Sequence, residues 1–147
     1  MLEVLDFPDS DEFRSSDHRR ELLRRFDRLP LDRLLVKRAH NWAGNISIGG
    51  SPSCGSYVPC TFPWHSLVVM WDGRVGPCPH DFMGEIVLGD ATRESLETIF
   101  RGPAMSRLRR QHVEGRLDPD LPCMSCDSVR RDTVLGIPTA SLRHLRR

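Results

Sequence analysis

Five cysteines stand in this 147-residue chain, Cys54, Cys60, Cys78, Cys123 and Cys126. Cys123 and Cys126 make the pair "CMSC". A Cys-x-x-Cys turn sets two sulfurs a few ångströms apart and pointing the same way, which suits zinc or an iron–sulfur cluster, both of which take thiolates tetrahedrally. Redox dithiols use the same spacing, but they place the pair at the start of a helix in a βαβ setting. The flanks here, "DPDLP" and "DSVRR", do not read that way.

Cys60 and Cys78 must supply the other half of a four-thiolate site. They bracket "CTFPWHSLVVMWDGRVGPC", in which Ser66 to Met70 is strand-like, Asp72-Gly73 signals a hairpin turn and Arg74 to Gly76 returns. In that register Cys78 faces roughly Leu67. Fully extended arms would leave the two cysteines ~23 Å apart, at ~3.3 Å per residue. They share a site only if "CTFPW" folds back. Pro63 favours this because it cannot donate to a sheet ladder, and Pro77 and Pro79 hold Cys78 on a loop. The alternative is that Cys60 and Cys78 are small buried residues. His80, two residues past Cys78, reads as a residue beside the ligands or as an exposed one, since four thiolates are already at hand. Trp64, Trp71 and Phe82 are expected to form an apolar shell that excludes water from the sulfurs.

Other elements must position these residues. Leu2 to Leu5 is a short apolar stretch ending at Pro8. Leu22, Phe26 and Leu29 then mark a helix from about Asp11 to Leu29, with Ser10 as its N-cap and Pro30 as its stop. Leu34 to Val36 follows as a strand candidate. Strand, helix, strand implies a parallel βαβ unit, and one such unit cannot cover both faces of its sheet. Residues 41 to 59, rich in Gly, Ser and Pro, read as a linker. Thr92 is placed as the cap of a helix carrying Leu96, Ile99 and Phe100, ending at Gly102-Pro103. A second helix carries Met105, Leu108 and Val113 and stops at Gly115. The tail beyond Val129 has a weak apolar pattern, from Val134 to Leu145.

Taken together, the pattern C-x12-G-x4-C (Cys60, Gly73, Cys78) followed by Cys123-x-x-Cys126 resembles the SPASM/Twitch auxiliary-cluster domain of radical SAM enzymes. The likeness extends through "FPW", "DGRVGPC", "LGD" at Leu88 to Asp90 and "SLETIF" at Ser95 to Phe100, over about residues 42 to 130. It implies an α+β fold, a β-hairpin plus helices around a four-cysteine metal site. It also implies one 4Fe–4S cluster on Cys60, Cys78, Cys123 and Cys126. No cysteine follows Cys126, so a second cluster is not expected, and the single-cluster Twitch type is the closer match. Cys54 is then a spare loop thiol. Radical SAM cores carry a Cys-x3-Cys-x2-Cys loop that this sequence lacks, so the chain is not expected to cleave S-adenosylmethionine itself. The resemblance makes residues 1–41 a remnant of a partial barrel, 42–130 the cluster-binding domain and 131–147 a tail. It makes the chain the C-terminal portion of a radical SAM protein, or a partner of a separate core subunit, with a peptide or small-molecule substrate in reach.

Composition sets the outer bounds. At 39% hydrophobic and 28% charged, the chain reads as one globular domain with at most an appendage. A formal charge of +1, with acidic residues among the early arginines, argues against a nucleic-acid partner. No apolar run approaches the ~20 residues of a membrane span, and the acidic start is unlike a secretory signal. An odd cysteine count fits reducing cytoplasm better than a disulfide framework. Three readings follow: an iron–sulfur module with an electron-transfer or structural role, a structural four-cysteine zinc domain binding a protein, or a dithiol enzyme.

Overall fold

The computed structural model describes residues 2–6, 16–26, 28–30, 32, 34–48, 56–131, 133–134 and 137–138. The chain divides into two compact units, Met1–Asn41 with Ser47–Ser51, and Trp42–Ile46 with Pro52–Arg147.

In the first unit, strand β1 (Leu2–Asp6) and strand β2 (Leu34–Arg38) pair in parallel from Leu2 opposite Leu34 to Asp6 opposite Arg38. Helix α1 (Ser16–Phe26) lies between them in sequence, as a crossover between parallel strands requires. Asp17 in its first turn and Arg24 and Arg25 in its last complement the helix dipole. The helix ends at Phe26, short of the expected Leu29: the Leu29 N–H bonds the Phe26 carbonyl at 3.0 Å, tightening the last turn before Pro30. The expected cap Ser10 lies outside the described residues.

The second unit is built from short pieces. Its elements are β3 (Ser56–Tyr57), α2 (Phe62–His65), β4 (Val68–Val69), β5 (Arg74–Gly76), β6 (Gly89–Asp90), α3 (Leu96–Arg101) and α4 (Pro103–Glu114). Two 3-10 turns, Pro122–Met124 and Asp127–Val129, lead into β7 (Arg130–Arg131). A small hairpin of β8 (Thr133–Val134) and β9 (Ile137–Pro138) follows. The region read as a linker therefore contains a strand, β3, and a turn at residues 42–45.

β4, β5 and β6 form an antiparallel sheet in that order. Val68 faces Gly76 and Val69 faces Val75, so the strand is shorter than Ser66 to Met70. This register carries Cys78 opposite Ser66 rather than Leu67. The hairpin loop is Trp71, Asp72 and Gly73, closed by Met70 N–H to the Arg74 carbonyl at 2.8 Å. Three-residue loops of this kind end on a left-handed residue. Gly73 supplies it at φ 89°, and a Cβ there would also press on Thr92 Cγ2 at 2.7 Å. Asp72 braces the turn, accepting from Arg74 N at 3.1 Å and Arg74 Nε at 2.7 Å. That ion pair holds its carboxyl below the ordinary value.

Ser95, not Thr92, caps α3. Ser95 is extended, and its Oγ accepts from Thr98 N at 3.1 Å. Thr92 is engaged in a tighter turn, with its N–H and hydroxyl both donating to Asp90 Oδ1, at 2.8 and 2.6 Å. Pro103 opens α4, where its missing N–H costs nothing, and Gly115 closes it. Met105, Leu108 and His112 form the buried stripe of α4 at i, i+3, i+7. Val113 lies off that stripe and is exposed, so His112 takes the buried place expected of it. Met105, Leu108 and Ile86 form the core, against which Leu88, Phe100, Leu121 and Cys123 pack.

Candidate functional site

Three separate ties draw the cysteine-bearing segments together. First, β3 pairs antiparallel with β7, and Val58 N–H bonds the Val129 carbonyl at 3.0 Å. This zips the chain just before Cys60 to the chain just after Cys126. Second, the Phe62 ring meets the His80 ring edge-on at 5.0 Å, joining the turn after Cys60 to the loop after Cys78. Third, Ser128 Oγ lies 3.1 Å from His80 Nδ1, joining that loop to the knuckle. His80 thus stands beside the cysteine loops as a clamp.

The expected fold-back of "CTFPW" occurs as α2. Pro63 sits at its first turn and is buried, and Ser66 N–H bonds the Phe62 carbonyl at 3.0 Å. Arg109 of α4 donates from Nε to the Pro63 carbonyl at 2.9 Å, with its guanidinium 4.4 Å over the Phe100 ring. Behind the knuckle sits the turn at residues 42–45, with Trp42, Ala43 and Gly44 all at positive φ. A Cβ at Gly44 would collide with Ser125 Cβ, so only glycine lets this turn approach the knuckle.

Cys60 and Cys126 are buried, and Cys78 and Cys123 are partly so. Burial, and then the charges of Cys78, Cys126, Cys60 and Asp81, push the Cys123 thiol up to about 12. Burial likewise raises Cys78, with Cys60 and Cys126 adding to the rise, while the backbone N–H groups of Asp81 and His80 oppose it by bonding its sulfur. The Cys123 sulfur thus feels Cys60, Cys78 and Cys126, and the Cys78 sulfur feels Cys60 and Cys126. Among the described residues no three His, Cys, Asp or Glu side chains are grouped to hold one metal ion. Cys54 lies outside the described residues.

The expected aromatic shell is not there. Trp71 is 96% exposed at the hairpin tip, and Trp64 and Phe82 are 42% and 50% exposed. Tyr57 lies within the electrostatic reach of the Cys123 and Cys60 sulfurs. Tyr57 is raised by burial and by the charges of Cys123 and Cys60. Its hydroxyl donates to the His112 carbonyl at 2.9 Å and meets His112 Nδ1 at 3.2 Å. Since the hydroxyl proton goes to the carbonyl, Nδ1 carries the imidazole proton and donates to the Tyr57 oxygen. His112 Nε2 is then a buried acceptor without a partner. Tyr57, His112 and Asp81 escaped the sequence reading; only Asp81, next to His80, lay beside a residue singled out there, and it carried no burial signal.

These features coincide with a family match. Residues 60–127 match the family model of SPASM, an iron–sulfur cluster-binding domain. That segment runs from the first of the four cysteines to one residue past the last, and this part of the chain is similar to SPASM iron–sulfur cluster-binding domains. No curated protein and no solved structure matches the chain. Among the described residues, no helix is long and apolar enough to cross a membrane.

Proposed function

We propose that Cys60, Cys78, Cys123 and Cys126 together hold one 4Fe–4S cluster, and that the chain serves as the auxiliary-cluster module of a radical SAM system, beside a core subunit or domain that carries the S-adenosylmethionine chemistry. The observation that carries this reading is the convergence of the cysteine-bearing segments through the three ties, with the Cys60, Cys78 and Cys126 sulfurs all acting on that of Cys123, inside a segment similar to a cluster-binding domain. Ionised together in a partly buried place, such sulfurs repel one another. A cationic inorganic core relieves that repulsion and keeps them deprotonated.

The family match favours a cluster over zinc, because its model describes an iron–sulfur cluster-binding domain. A dithiol enzyme needs a depressed thiol, and Cys123 is pushed the other way. When bound, such a cluster supplies one-electron transfer or structural cross-linking, with its potential set by surrounding charge and hydrogen bonds. Were such a cluster bound, Cys60, Cys78, Cys123 and Cys126 would supply its four thiolates. Tyr57 lies within reach of the Cys123 and Cys60 charges, and the Cys78 turn donates N–H groups to the Cys78 sulfur.

Anaerobic purification of the full chain, with iron, acid-labile sulfide and zinc assayed, tests the reading. The expected product is brown, with about four irons and four sulfides per chain. Colourless protein with one zinc would support the structural zinc domain instead.

A further inference from the structure

We propose that Asp81 is a positioning residue for the cluster, its buried carboxylate shaping the Cys78 turn and lowering the cluster's reduction potential. The inference rests on the four-thiolate reading above and adds a residue that the family match does not single out.

Asp81 is 2% exposed, among the most buried side chains of the second unit. Its Oδ1 accepts from Glu85 N at 3.0 Å and its Oδ2 from Ile86 N at 2.8 Å. Gly84 N–H bonds the Asp81 carbonyl at 3.1 Å, and the Asp81 N–H bonds the Cys78 sulfur. One residue thus links the thiolate turn at Cys78 to the start of the core at Ile86. The two oxygens each take one N–H, which Asn or Ser, with a single acceptor atom, does not reproduce, so the charge comes with this two-pronged closure. A carboxylate is the costly choice in a buried place. It carries no ion pair with any cationic side chain among the described residues, and its field reaches the Cys123 sulfur. A fixed negative charge in a medium of low dielectric disfavours adding an electron nearby. Net charge around a cluster is one of the main settings of its potential. The N–H groups at Cys78 act in the opposite sense, so the turn combines both controls on one loop.

The test uses the full chain loaded with its cluster anaerobically, as the parent, Asp81→Asn, Asp81→Ser and a control, Glu97→Gln, on the exposed face of α3. Iron and sulfide content are read first, then the midpoint potential by a redox titration followed by absorbance and electron paramagnetic resonance. A parent without iron sinks the four-thiolate reading and this proposal with it, before any variant is compared. With a loaded parent, the neutral variants are expected to keep their iron and to shift to more positive midpoints, while the control stays at the parent value. If one neutral variant fails to load, the other decides. A loaded neutral variant with the parent's midpoint overturns the proposal. So does loss of iron from both, which would leave Asp81 a folding residue only.

Discussion

Between residues 2 and 38, two five-residue strands pair along their whole length, whereas no described strand between 56 and 131 exceeds three residues. The first unit is held by a backbone ladder that any chain with the right strands forms. The second has little ladder and is held by a buried stripe on α4, by three ties among the cysteine loops, one through backbone and two through side chains, and, on the proposed reading, by an inorganic core. What this teaches is where chemistry substitutes for regular structure. Loops that must converge on one point cannot also run in long strands, and a bound metal centre contributes directly to folding in such regions.

The comparison predicts where a lost ligand is felt. Replacing Cys126 with Ala should give the largest effect, with amide exchange accelerating across 56–131 while the amides of β1 and β2 keep the parent rates; uniform acceleration in both units would erase the distinction. Next comes the core alone. Met105→Ala empties a fully buried site and should cost about 2–5 kcal/mol by denaturant titration.

A smaller, pH-dependent effect belongs to His112. Burial holds its imidazole below the ordinary value, so the folded chain stays neutral while the unfolded chain takes up a proton near ~6.5. Stability from this residue is present above that pH and falls as pH drops through it toward the folded-state value. His112→Phe should flatten the decline between pH 7.5 and 5.5 relative to the parent, and parallel curves would contradict it. Smallest of all is Trp71→Ser. With the ring 96% exposed, melting should change by no more than ~0.5 kcal/mol, and the visible spectrum should not change.

Much of the site was legible because its signals are local. Asp72-Gly73 between apolar runs marks a hairpin, though its loop proved to have three residues. Pro63 marks a fold-back, and the four cysteines announce themselves by type. The β1–α1–β2 unit was legible for the same reason, from consecutive apolar patterns. The β3–β7 pairing was not, because two-residue strands separated by more than seventy positions leave no periodic trace. Residue type also misled. His112 occupies a helix position where a hydrophobe is expected, and Asp81 is buried because two N–H groups satisfy it. Trp71 is exposed because the hairpin tip offers it nothing to pack on. Thr92 and Ser95 are equally cap-like by type, and only the Asp90 turn decides between them.

The most direct measurement is iron and acid-labile sulfide per chain in five single variants, Cys60→Ala, Cys78→Ala, Cys123→Ala, Cys126→Ala and Cys54→Ala, each purified anaerobically beside the parent. The account predicts loss or conversion of the cluster in the first four and parent stoichiometry in the Cys54 variant. An intact cluster in any of the first four, with unaltered iron content and spectrum, would contradict it.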